Sequence, residues 1–280
     1  MLFQVLDSKA DCIGFYAANI INPTPILPTE GATWEYSQHL PGDHYDIGRI
    51  YSQGAALTDV CPEDMKADWE EIKKTLRSCL KAFRTSHLSL DENCFYDVLP
   101  EFFLYQYLEA KNKITAHVLE TYPRPANYDC MYNLVEMLSS IRSQTVSVDI
   151  NPIKHLLSSV RGMNFHRTLQ TVNHVCDYNP WGTITGRLST NPNSLPILTM
   201  NKEFRACIKP KNDWFVELDF NAAELRTLIA LTGEEQPQID IHEWNRKNIY
   251  RNIGSREDAK KRIFAWMYNS KSEDFLSNRA

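Results

Sequence analysis

Two stretches of helical periodicity, Phe95–Leu119 and Tyr128–Ile141, flank the tetrapeptide Tyr122-Pro123-Arg124-Pro125, and this arrangement limits the possible folds more than any other feature of the chain. A proline has no amide hydrogen to offer a helical ladder, and it crowds the residue before it out of the helical region. The two stretches must therefore form separate helices that pack. A third helix is predicted from Pro62 to Phe83, where Trp69, Ile72, Leu76 and Leu80 recur at helical spacing and Glu63 and Asp64 suit the positive end. Residues 1–60 differ: short β-like runs, Met1 to Leu6 and Cys12 to Ile21, are punctuated by Pro23, Pro25, Pro28, Gly31, Pro41 and Gly42. The expected class is α+β, with a domain boundary near residue 160.

Charge narrows the function classes. The 280 residues carry 30 Lys plus Arg against 35 Asp plus Glu, which argues against a protein that coats nucleic acid by overall charge. The distribution is uneven, however. Between residues 241 and 262, Arg246, Lys247, Arg251, Arg256, Lys260, Lys261 and Arg262 face only Glu243, Glu257 and Asp258. This cationic stripe points to an anionic partner such as phosphate. The seven cysteines include no C-x-x-C, which leads us to expect mostly buried thiols in a reducing cytosol. Asp7, Lys9 and Asp11 interrupt the N-terminal apolar run, and no stretch reaches the ~18 apolar residues of a membrane span, so a cytoplasmic chain is expected.

The last hundred residues carry the candidate chemistry. Trp214–Asp219 is predicted as a strand ending on a carboxylate, and Ala222–Leu231 as a helix stopped by Gly233. Asp219 suits either a turn or a hard oxygen ligand for Mg²⁺. Asn221 and Glu224 have capping-box spacing. A further helix should begin with Ser255 as N-cap and Asp258 three residues on. Along it Arg256, Lys260, Phe264 and Tyr268 fall at intervals of four, each step drifting only ~40°, so they share one face about 18 Å long. Two cations followed by two aromatics suit a polyphosphate and a base; an ordinary amphipathic helix with solvated charges is the alternative. Thr183-Ile184-Thr185-Gly186-Arg187-Leu188-Ser189-Thr190 reads as a polar loop suited to a sugar-phosphate backbone or as a generic surface loop. In Asp240-Ile241-His242 the imidazole is either a metal ligand or, more commonly at a helix start, a hydrogen-bond partner.

The order of these pieces adds a resemblance. T-x-T-G-R-L-S (183–189), F-R-A-x-I-x-P (204–210), D-F-x-x-x-E-L-R (219–226), D-I-H (240–242) and R-x₃-K-x₃-F-x₃-Y (256–268) resemble the successive signatures of family A DNA polymerases, the bacterial polymerase I and podophage replicase type. The resemblance spans residues 160–280. It implies a right-hand polymerase architecture with a helical thumb over 89–160, part of an antiparallel-sheet palm over 161–232 and the first fingers helices over 233–280, leaving 1–88 unassigned.

The activity so implied is template-directed transfer of dNTPs to a primer 3′-hydroxyl by a two-metal mechanism with Mg²⁺ as cofactor. By the same resemblance Asp219 is the catalytic carboxylate and metal ligand, with the Phe220 carbonyl beside it. Glu224 is the steric gate against a ribose 2′-hydroxyl, which also argues against an RNA polymerase. Arg256 and Lys260 grip the triphosphate, His242 faces the phosphates, Phe264 packs on the sugar and Tyr268 sits at the templating base. Arg187 reads the primer-terminal pair in the minor groove, with Thr185 on the DNA backbone.

The chain also departs from the pattern. Asn221, Ala222 and Ala223 stand where Ser-Gln-Ile is usual, Asn269 where Gly is usual, and Ser194-Leu195-Pro196 where Leu-Gln-Asn is usual. The family's second catalytic carboxylate follows a histidine, and none of the eight His here precedes an Asp. The expectation is one part of a split or truncated polymerase, acting on primer-template DNA and completed by a second polypeptide. A non-catalytic DNA-binding or assembly subunit is the alternative.

Overall fold

The computed structural model describes residues 1–9, 12–42, 44–90, 92–269 and 271–272, and it is of mixed α+β class. The elements run β1 (Gln4–Val5), β2 (Phe15–Ala17), β3 (Ile20–Asn22), β4 (Gly31–Thr33), β5 (Tyr45–Ile47), α1 (Gly48–Tyr51), α2 (Lys66–Thr85), α3 (Phe95–Val98), α4 (Glu101–Thr121), α5 (Tyr128–Arg142), β6 (Ser147–Val148), α6 (Val160–Thr171), β7 (Tyr178–Asn179), β8 (Ser189–Thr190), β9 (Ile208–Lys209), α7 (Ala223–Thr232), α8 (Ile241–Asn248) and α9 (Arg256–Tyr268). They group into two compact units, residues 1–213 and 214–280.

In the first unit α4 is the central element. Its Leu104, Leu108, Lys111, Thr115 and Val118 recur at alternating steps of four and three, and all five are buried. Around this helix pack Leu6, which follows β1, Tyr16 of β2 in the antiparallel sheet β1-β2-β3, Trp34, which follows β4, and Trp69 of α2. Helix α5 closes a further cluster by packing Tyr128, Met131 and Tyr132 against Phe3, Val5, Ile47 and Ile50. Residues 1–88 thus share their core with the helices that follow rather than forming a separate body. The two polar members of the α4 stripe are satisfied. Lys111 Nζ pairs with Glu35 at 3.4 Å, and the Gln4 side-chain amide donates to the Thr115 hydroxyl at 3.1 Å while its oxygen accepts from the Trp34 amide at 3.3 Å.

A second focus within this unit stacks Phe165 of α6 on Phe204, ring centroids 4.4 Å apart, over buried Ile153, Leu169 and Leu195. The pairing of β6 with β9 brackets this cluster, and the β7-β8 hairpin projects the 180–188 loop from it. The periodicity expected to run unbroken over 95–119 is interrupted: Leu99 is extended (φ −90°, ψ 145°) and α4 starts only after Pro100. The proline imposes this, since Leu99 precedes it and cannot adopt the helical region without a clash.

The cysteines also depart from expectation. Cys12 and Cys94, with Cα atoms 5.4 Å apart, form a disulfide, because packing of the β1-β2 corner on α3 and α4 brings together two residues 82 apart in sequence. Of the remaining thiols Cys61 and Cys207 are buried, whereas Cys130 is exposed. Among the described residues no helix is long and apolar enough to cross a membrane.

The second unit packs α7, α8 and α9 around Leu225, Ile241 and Ile263. Helix α7 ends where Gly233 turns left-handed (φ +75°), as the glycine stop predicts. Helix α9 begins with a complete capping box, the Ser255 side chain accepting from the Asp258 amide and the Asp258 side chain from the Ser255 amide. The strand expected over Trp214–Asp219 is not formed. Residues 214–220 are irregular and exposed, Val216 at 81 % and Leu218 at 90 %. A strand exists through the hydrogen bonds of its neighbour, and among the described residues no other segment pairs with this one.

Candidate functional site

The site is built on the face of α9 that the four-residue spacing defines. Phe264 and Tyr268 stack nearly parallel, 6° between planes and 6.2 Å between centroids, as residues one turn apart on a helix must if both rings lie along its surface. Two other helices meet this face. From α7, the half-buried Glu224 accepts a hydrogen bond from the Tyr268 hydroxyl at 2.8 Å, across 44 residues of sequence. From α8, the His242 ring lies 5.9 Å from Phe264.

His242 is only 3 % exposed, and its Nδ1 is buried with no hydrogen-bond partner among the described residues. Such an atom costs about 1–3 kcal/mol relative to a satisfied one. Burial pushes the imidazole pKa down, and the charges of Arg256 and Lys260 add to this against the opposing pull of Asp240. The ring is therefore neutral at pH 7.

Asp240 is the N-cap of α8 and accepts from the Glu243 amide at 2.9 Å. Its carboxylate also accepts from Asn221 Nδ2 at 2.6 Å and from Arg256, Nε at 3.0 Å and Nη2 at 2.7 Å. The Arg256 hydrogen bonds hold its carboxyl far below the usual carboxylate range. Arg256 Nη1 donates to Glu257 at 2.7 Å. The D-I-H segment thus contributes its imidazole to the aromatic face and its carboxylate to the first cation of α9.

Asn221 does not cap α7, contrary to the capping-box expectation. Ala222 occupies the N-cap in a left-handed conformation (φ +52°), while Asn221 Oδ1 accepts from the Ile241 amide at 3.1 Å and Glu224 turns to Tyr268. Arg226 then ties the returning loop to α7, donating to the carbonyls of Asn221 at 2.9 Å, Pro237 at 2.9 Å and Ile239 at 3.0 Å. Reasoning from sequence missed Asn221, Arg226 and Asp240 as the supports that position Arg256. The only signal was their presence in the D-F-x-x-x-E-L-R and D-I-H segments.

The other expected residues lie elsewhere. Asp219 and Phe220 stand on the exposed irregular segment before α7, with Phe220 at 83 %. Among the described residues no group of three or more His, Cys, Asp or Glu side chains is placed to hold a metal ion. One carboxylate and one carbonyl are donors of the kind Mg²⁺ takes, but they are only part of its octahedral shell. Thr185 and Arg187 lie in the first unit, exposed on the loop between β7 and β8. There Gly186 (φ +72°) forms the turn that only a residue without Cβ adopts freely, and the Thr183 hydroxyl donates to the Arg187 carbonyl at 2.7 Å.

The opposite row of α9 lines something different. Arg262, Ile263 and Trp266 border an apolar cavity of about 590 Å³ together with Leu225, Ile241 and Trp244. No family model, curated protein or solved structure matches the chain.

Proposed function

We propose that the face formed by Glu224, His242, Arg256, Lys260, Phe264 and Tyr268 binds a deoxynucleoside triphosphate and that the chain serves template-directed DNA synthesis, as its resemblance to family A DNA polymerases implies. One observation carries this reading. Residues spread over 44 positions converge on one helix face, with cations at one end, stacked aromatics at the other and, beside Phe264, a buried imidazole whose Nδ1 has no hydrogen-bond partner among the described residues.

Within this reading Arg256 and Lys260 supply positive charge to the phosphates, Arg256 with a planar fork and Lys260 as a point charge. Phe264 gives the sugar an apolar wall, and Tyr268 extends that wall toward a base. The Tyr268 hydrogen bond holds the Glu224 carboxylate in one position, so it excludes a ribose 2′-hydroxyl by occupying its space. Thr185 and Arg187 contact primer-template DNA from their loop. Asp219, with the Phe220 carbonyl, would contribute oxygen donors to Mg²⁺ arriving with the triphosphate.

The partial donor set at Asp219 favours a second reading, a chain that binds DNA and nucleotide without catalysing transfer by itself. A single pair of assays on the purified chain distinguishes them. In the first, dATP and ATP are titrated against wild type, Glu224→Ala and Arg256→Ala. In the second, primer extension is compared between wild type and Asp219→Ala. The reading expects dATP to bind tighter than ATP, a difference that shrinks in Glu224→Ala, and weaker binding of both in Arg256→Ala. Extension lost in Asp219→Ala supports catalysis by this chain, and binding without extension supports the second reading. Triphosphate binding indifferent to Arg256 overturns both.

A further inference from the structure

Arg256, the first cation of the proposed site, is already engaged by two carboxylates. Asp240 takes its Nε and Nη2 in a two-pronged pair at 3.0 and 2.7 Å, and Glu257 takes Nη1 at 2.7 Å. Counting Lys260, the formal charge of these four side chains is zero, so an anion approaching the face meets a neutralised surface.

The two members of the main pair are not equally held. Asp240 is anchored by the Glu243 amide, by Asn221 and by its place at the start of α8, and its side chain is 29 % exposed. Arg256 reaches it from the first turn of α9 with a long side chain that is 42 % exposed. The guanidinium is therefore the partner that moves if the pair opens. The carboxylate oxygens present Arg256 with the same spacing and charge that two phosphate oxygens would.

We propose that Asp240 is a latch on the triphosphate site, holding Arg256 in an ion pair that an incoming polyphosphate must displace, so that Asp240 sets the affinity of the site for anions. The inference rests on the reading of this face as a triphosphate site. A latched Arg256 lowers apparent affinity by the fraction of molecules in which it is free. A ligand with several negative charges gains enough from Arg256 and Lys260 together to open the pair. A single phosphate gains less and is left to Lys260 alone. In this role Asp240 is a positioning residue, acting only through Arg256.

The test is calorimetric titration of the full chain with inorganic tripolyphosphate at low salt, comparing wild type, Asp240→Asn, Arg256→Ala, Lys260→Ala and the Asp240→Asn/Arg256→Ala double variant. Asparagine is as good an N-cap as aspartate and keeps an oxygen for the Glu243 amide, while its NH2 replaces the oxygen that accepts from Asn221 Nδ2, so the substitution removes the charge and that one hydrogen bond. The latch predicts tripolyphosphate binding roughly two- to fivefold tighter in Asp240→Asn, the scale of a partly exposed ion pair. It also predicts that this gain vanishes in the Arg256→Ala background, a coupling that a merely structural role for Asp240 would not produce. Should Asp240→Asn fail to show a wild-type melt, Asp240→Ser, another uncharged cap, carries the same expectation. Unchanged or weaker binding in the uncharged variants, with Arg256→Ala and Lys260→Ala still weakening it, overturns the latch and leaves the site reading intact. Binding unaffected by Arg256→Ala and Lys260→Ala overturns the site reading and the latch together.

Discussion

Glu35→Gln should destabilise the first unit far more than loss of a surface ion pair would. Lys111 is 7 % exposed and Glu35 26 %, with 3.4 Å between the charged groups. Burial pushes the Glu35 carboxyl up, but the charges of Lys111, Arg142 and Arg49 outweigh it and hold it below its ordinary value. Burial likewise pushes the Lys111 ammonium down, and the Glu35 charge more than reverses this. Glu35→Gln removes the salt-bridge partner that Lys111 of the α4 stripe has among the described residues, and stranding a buried charge in this way costs about 3–5 kcal/mol. Lys111→Met should cost less, about 1–3 kcal/mol, because Glu35 keeps Arg142 and Arg49 nearby. The double variant, with both charges gone and methionine filling the stripe, should return to within about 1 kcal/mol of wild type. Urea unfolding followed by tryptophan emission reads this directly, since Trp34 and Trp69 are buried in the adjoining cluster. With a slope of about 3 kcal/mol/M the Glu35→Gln midpoint should fall by roughly 1–1.7 M. A fall in Glu35→Gln no larger than that in Lys111→Met would refute the reasoning.

The same pair sets a pH dependence. The stability Glu35 contributes is present above its unfolded value of 4.5 and is lost as the pH falls through its depressed folded value, while that of Lys111 is present below 10.5 and lost as the pH rises through its elevated one. Stability measured from pH 2 to 7 should therefore show a flatter acid limb in Glu35→Gln than in wild type. Leu108→Ala, at a fully buried α4 position, should cost about 2–5 kcal/mol in the same urea assay. Ser255→Ala, which removes half of the α9 capping box, should cost about 1 kcal/mol, read as faster amide exchange over the first turn of α9 with the first unit unchanged.

Local signals in the chain proved sufficient for local structure. Trp69, Ile72 and Leu76 marked α2 by their spacing, Gly233 ended α7 and Ser255 with Asp258 started α9, because each of these effects acts within a turn or two of backbone. Pro100 is equally visible, but apolar periodicity continues across it while the helical backbone does not. The aromatic and apolar run Trp214–Leu218 has strand propensity, but propensity cannot supply a neighbour, and the segment stays irregular.

The candidate site divides along the same line. That Arg256, Lys260, Phe264 and Tyr268 share a face follows from 3.6 residues per turn, and the sequence alone determined it. The Tyr268–Glu224 hydrogen bond, the burial of His242 and the Asp240–Arg256 pair join residues 44, 22 and 16 positions from their partners on α9. The disulfide between Cys12 and Cys94 and the pairing of Lys111 with Glu35 are of the same kind. Only the tertiary structure decided these, because a side chain's pKa, exposure and hydrogen-bond partners are set by whichever atoms packing brings alongside it, and those belong to other helices.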